Sequence, residues 1–241
     1  MRRQKMEIVD SAEGIQGINV ADADVDDRLG FIRKVLGIIT VQLIITAVVT
    51  LIPLRNEQAR AWILQNTWLL WTSFAVALLT ELPLLCVREL ARKVPMNYFL
   101  LITFTLAESY MVAYICAVYD PMVVTIAASL TAFATLALTA YALHTSLDFT
   151  FAAGSLYLFS AALFGCTFLA IFLPSSQILR IVISGVSVIV FGLYLIFDIE
   201  MIAGGHYCEF SIDDYVIAAM QVYLDIIMLF LHILRLIGDR K

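Results

Sequence analysis

Seven stretches of the 241-residue chain, at 31–54, 67–87, 98–118, 122–143, 151–172, 178–203 and 214–237, are almost wholly apolar. Each covers the roughly 20 residues that a helix needs to cross the hydrocarbon core of a bilayer. In lipid a single segment satisfies its own backbone only as a helix. The expected fold is therefore an all-α membrane protein with seven transmembrane helices. Composition agrees, since 62 % of the residues are hydrophobic and the mean hydropathy is +0.92, too apolar for an ordinary water-soluble domain.

Two domains are expected. Residues 1–27 form a polar, acid-rich head with Asp22, Asp24, Asp26 and Asp27, and are read as disordered. Residues 28–241 form the transmembrane domain. The head lacks the apolar region of a cleavable signal, so the first span is expected to target the chain. The net charge of −5 comes largely from this head, and no basic tract points to nucleic acid. Cys86, Cys116, Cys166 and Cys208 are scattered singly, which suits small packing residues better than a disulfide framework. With a cytosolic N-terminus, Arg2, Arg3, Lys5, Arg28, Arg33, Lys34, Arg88, Arg92 and Lys93 share the cytosolic side. Arg55, Arg60, Arg180, Arg235, Arg240 and Lys241 lie opposite, an imbalance that favours this orientation. A re-entrant last segment would bring the C-terminus to the cytosol and widen the imbalance.

The last two runs each enclose one aspartate, Asp198 and Asp225. An ionised carboxylate at mid-membrane costs about 2.5–3.5 kcal/mol on insertion scales, so each needs a partner, and each is the natural partner of the other. Asp214, Gln221, Asp225 and His232 repeat at close to whole helical turns, as do Ser187, Tyr194 and Asp198. Two antiparallel helices can thus face stripe to stripe, although counting from the loop leaves the aspartates about 7–8 Å out of level. Two carboxyls in contact in a low-dielectric site cannot both ionise cheaply, so they share a proton and titrate as a pair. Glu81, Arg88 and Arg92 can occupy one face of the second helix as gate partners, and Glu108 lies midway along the third span. His144 and His206 are expected on one side of the membrane and His232 toward the other, which does not make a zinc site.

FIRKVLGIITVQLIIT at 31–46, LDFT at 147–150, LYLIFDIEMI at 193–202 and DDYVIAAMQVYLDIIMLFLHILRLI at 213–237 resemble the Bax inhibitor-1 motif family, the Golgi anti-apoptotic branch most of all. The similarity covers about residues 28–238, and the last block is its most specific part. The acidic head departs from the pattern and is in keeping with a virus-encoded member. The resemblance implies a seven-helix fold with a central last helix and a pH-sensing aspartate pair at Asp198 and Asp225. It also implies calcium leak from endoplasmic reticulum or Golgi stores and suppression of cell death. The family's site includes, in some members, a carboxylate and an arginine of the second helix, for which Glu81 and Arg92 are the nearest candidates and Arg88 competes.

The expected activity is thus a pH-sensitive leak with calcium as permeant ion, held transiently at Asp198 and Asp225, and with no cofactor. Expected partners are calcium, the lipid bilayer and apoptosis regulators. Two alternatives belong to other classes. An intramembrane aspartyl protease would also use two aspartates, but Val222-Tyr223-Leu224 precedes Asp225 where such enzymes carry Gly-x-Gly, and no Pro-Ala-Leu occurs. A non-conducting anti-apoptotic interaction protein would move no calcium in pure lipid.

Overall fold

The computed structural model describes residues 19–144, 158, 161–162, 177–204 and 210–238. Among them are eight helices: α1 Val25–Arg55, α2 Glu57–Gln65, α3 Thr67–Cys86, α4 Arg88–Arg92, α5 Met96–Ala117, α6 Pro121–His144, α7 Gln177–Ile202 and α8 Tyr215–Ile237. Six of these are long and apolar enough to cross a membrane, which makes the chain a multi-pass membrane protein. The expected span at 151–172 lies outside the described residues, apart from 158, 161 and 162.

Two short helices occupy stretches expected to be loop. Asn56 starts α2, its Oδ1 accepting from the backbone N–H groups of Gln58 (2.9 Å) and Ala59 (3.2 Å), as an N-cap asparagine does. The basic turn after α3 coils into α4. Pro53 and Pro83 fall inside the last turns of α1 and α3 and do not end them at once. Pro121 opens α6 at the position where a missing N–H costs nothing, and Asp120 Oδ1 accepts from Met122 N–H at 3.0 Å.

Burial sorts the helices. About two thirds of α8 and half of α5 are buried, whereas no more than a third of any of the other four spans is. α8 packs against α1, α4, α5, α6 and α7. It crosses the bundle without a break: Tyr215 lies under the Lys34 ammonium at one end, and Gly238 lies against Tyr119 at the other. α1, α5 and α8 run one way and α3, α6 and α7 the other, as their terminal contacts require. α6 therefore ends where α1 begins, while α7 begins at the opposite end.

The first end of the bundle is closed by residues ahead of α1. Val20 is fully buried, its N–H donates to the Phe210 carbonyl at 3.0 Å, and Asn19 bridges Ser211. Gly204 follows α7 at φ +78°, where a side chain would be strained. A Cβ there would also meet Arg28 Nε at 3.0 Å. Of the polar head, then, residues 19–27 belong to the bundle, and residues 1–18 lie outside the described ones.

α1 and α5 are joined by a polar ladder in constant register. Gln42 Nε2 donates to Thr105 Oγ1 (3.0 Å), and Thr46 Oγ1 meets Ser109 Oγ (3.0 Å). Both pairs are 63 residues apart, so the rungs stand one turn from each other. The same offset places Ala113 beside Thr50, and Thr50 Oγ1 is accordingly buried without a partner. Thr46→Val, which removes the hydroxyl shared by Ser109 and Tyr223, is expected to cost about 1–2 kcal/mol. Ala113→Ser is expected to add about 0.5–1 kcal/mol by completing the third rung. Chemical denaturation in detergent micelles measures both, and an unchanged midpoint for Thr46→Val would remove the ladder as a source of stability.

Candidate functional site: a buried carboxyl pair

Asp198 and Asp225 are 6 % and 8 % exposed and hydrogen-bonded to each other through their side chains. Two carboxyls can share such a bond only if one is protonated and donates to the other. Neither has a basic neighbour among the described residues; the partner of each is the other acid. Asp225 Oδ2 is buried without a hydrogen-bond partner. Seven residues along each helix the Phe191 ring stacks on His232, with centroids 5.5 Å apart and planes 18° apart. Two contacts two turns apart on both helices fix α7 and α8 as an antiparallel pair in one register.

The offset counted from the loop is absorbed by an overhang. α7 ends four residues after Asp198, at Ile202, whereas α8 begins ten residues before Asp225. The first turns of α8 thus project about 9 Å beyond the end of α7. They are held by side chains of other elements. Asp214, just ahead of α8, takes a two-pronged bond from Arg92: Nε to Oδ1 at 2.7 Å and Nη2 to Oδ2 at 2.9 Å. Its Oδ2 also accepts from Ser211 N–H at 3.0 Å. The hydrogen bond to Asp214 holds the Arg92 guanidinium above its ordinary range, so Arg92 stays charged at any physiological pH. Tyr215 bonds Tyr98 and lies 5.2 Å beneath Lys34 Nζ.

A second polar group lies across α8. Tyr223 Oη meets Thr46 Oγ1 at 2.8 Å, joining α8 to the ladder between α1 and α5. Glu108 on α5 is buried beside it, within electrostatic range of Tyr223 and of Glu81 on α3.

A family model described as inhibitor of apoptosis-promoting Bax1 matches residues 28–241. The chain belongs to the Bax inhibitor-1 family. Protein lifeguard 3 of Homo sapiens is 32 % identical over 217 residues, which span 89 % of this chain and 70 % of that protein. Its Mus musculus counterpart is 31 % identical over 216 residues, spanning 88 % and 70 %. Golgi anti-apoptotic protein of Vaccinia virus (strain Lister) is 34 % identical over 223 residues, spanning 92 % and 90 %.

Within this Bax inhibitor-1 chain the residues singled out from the sequence fall into three places. Asp198 and Asp225 meet. Glu81 and Glu108 lie within electrostatic range of each other. Arg92 is engaged by Asp214, about 16 Å along α8 from Asp225, and Arg88 is exposed at the start of α4. His144 is exposed, with Nδ1 2.8 Å from the Ala140 carbonyl; His206 lies outside the described residues. Sequence reasoning did not find the Gln42–Thr46 ladder or the role of Asp214. The four-residue spacing of Gln42, Thr46 and Thr50 was the available signal for the first.

The Arg92–Asp214 fork is expected to be worth about 1.5–3 kcal/mol of coupling. A double-mutant cycle of Arg92→Gln and Asp214→Asn, read by denaturation in micelles, measures it. Strict additivity of the two losses would show that the fork does not hold α8.

Proposed function

We propose that this protein is a pH-sensitive, calcium-permeable leak channel of intracellular membranes that lowers store calcium and suppresses apoptosis. The observation that carries this reading is the Asp198–Asp225 pair: two acids in mutual contact inside membrane-spanning helices, with no basic neighbour among the described residues. The name of one relative supports the wider role, since it is called a Golgi anti-apoptotic protein and belongs to a virus. Golgi or endoplasmic reticulum membranes with a cytosolic N-terminus suit both that name and the arginine and lysine bias. The opposite ends at which α6 stops and α7 starts support a seventh span at 151–172, and the enclosure of α8 supports a seven-helix bundle with the last helix at its centre.

In the proposed mechanism one proton bridges Asp198 and Asp225 and holds α7 against α8. When rising pH removes that proton, two charges about 4 Å apart repel by about 4 kcal/mol at an effective dielectric of 20. Relief of that repulsion shifts a two-state equilibrium several hundred-fold toward separation of the helices. The freed carboxylates then attract calcium as a transient oxygen site and repel anions. The latch is thus present at acidic pH and lost as pH rises through the titration of the pair.

Purified protein in liposomes is expected to dissipate a calcium gradient without ATP, faster at alkaline than at acidic pH. Asp225→Asn and Asp198→Asn keep a hydrogen-bonding side chain but remove the shared proton, and each is expected to flatten the pH profile. Absence of flux above empty liposomes at every pH would leave a non-conducting interaction protein. A full wild-type pH profile in both variants would eliminate the pair as the gate.

A further inference from the structure

We propose that residues 19–22 form a strap that shuts the space beyond the end of α7 and keeps water from the Asp198–Asp225 pair until it lifts. Its regulatory meaning rests on the proposed leak; its geometry does not.

A helix end that projects past its partner exposes the side it had turned to that partner, unless something else covers it. Asp225 faces α7, and Gln221 and Ala218, four and seven residues earlier, continue the same stripe. In the antiparallel register set by Asp225 on Asp198, Gln221 stands level with Ile202, where α7 ends. Ala218 stands about 5 Å beyond it. Ala218 is nevertheless fully buried, as are Val216, Ala219 and Met220.

Residues ahead of α1 take part in this cover. Val20 is fully buried, in one apolar cluster with Phe210, Val216 and Ala218. Its N–H donates to the Phe210 carbonyl at 3.0 Å, and Asn19 pairs with Ser211 in the antiparallel sense. Arg28, in the first turn of α1, lies against Gly204 just past α7. One segment thus touches both the end of α7 and the approach to α8. It is also able to move as a unit. The Asn19 carbonyl accepts from Asp22 N–H and its Oδ1 from Ala21 N–H, both at 3.0 Å, so the turn is folded by its own bonds. Of residues 19–22 Val20 alone is buried. A segment held by so little apolar contact opens locally at far less cost than the bundle unfolds.

The strap closes the short way to the pair. From Asp198 to the end of α7 at this side is four residues, about 6 Å, whereas the 21 residues from Gln177 to Asp198 span about 31 Å. Gln221 Oε1 and Asp225 Oδ2, one turn apart on the shared stripe, are both buried without a donor. Acceptors in this state take their hydrogen bonds from water. Lifting the strap therefore admits water first to Gln221 and then to the carboxyl pair.

The full-length protein with its four cysteines changed to alanine and with Ala218→Cys, held in nanodiscs, reports on the space directly. A small charged methanethiosulfonate is expected to label the introduced thiol slowly, and at least tenfold faster once Val20→Asp is added. Val20→Ile is expected to keep the slow rate. An unchanged emission spectrum from Trp62, Trp68 and Trp71, at the far end of the bundle, shows that the fold is kept. In a second protein Asn19→Cys and Ser211→Cys, opposite each other across the bridge, form a disulfide that clamps the strap. The clamp is expected to slow calcium efflux from liposomes at least fivefold, with recovery on reduction. Labelling unchanged by Val20→Asp, or flux indifferent to the clamp in a protein that leaks, overturns the strap. Accelerated labelling with no flux in any variant supports the strap and removes the leak, so the two proposals fail separately.

Discussion

The contact between Asp198 and Asp225 sets the register of α7 on α8, and α1, α4, α5 and α6 also pack on the helix so fixed. Lipid offers no hydrogen-bonding alternative to a buried carboxyl, so neither acid is satisfied unless the helices meet at this level. Interhelical hydrogen bonds in membranes average about 0.6 kcal/mol and rarely exceed 1.7. A bond of that size does not assemble the bundle, but the cost of leaving two acids unpartnered excludes every neighbouring register. The Phe191–His232 stack two turns away then has one arrangement available.

Once that level is set, the helix lengths force a consequence. With α7 ending four residues past the contact and α8 starting ten residues before it, the start of α8 stands clear of its partner. A projecting helix end has unsatisfied N–H groups and a partial positive charge, and Asp214 sits where an anion is favoured. Arg92 then serves Asp214 and not the aspartate pair. The loop before α8 is in turn pinned by Val20 and Asn19, so residues ahead of the first span complete the closure of that end.

Apolar length made the spans legible, because twenty residues without charge mean the same thing in any membrane protein. It could not reveal α2 and α4, whose helical turns depend on a cap at Asn56 and on the break at Val87 rather than on hydropathy. The aspartates were legible as a pair because acids are so rare in such segments. The ladder was not, for the opposite reason. On α1 the buried face carries Gln42, Thr46 and Thr50 while Val41, Ile44 and Val48 face outward, so neither face reads as a core by its polarity. The partner of Arg92 was hidden because it follows from the overhang, a property of two helix lengths and one contact level that no local pattern encodes.

The bonds that hold α8 differ in kind on its two sides. Toward α1 and α5 they run through Thr46, Ser109 and Tyr223, hydroxyls that remain neutral across any cellular pH. At its start the helix is tied to Arg92, a guanidinium that stays charged over the same range. Toward α7 the polar link is a carboxyl pair whose hydrogen bond exists only while a proton is present. On the proposed reading, a change in pH therefore loosens one seam and leaves the other two intact. The moving part is then α7, against a frame of α1, α5 and α8, and the closure around Asp214 stays with the frame.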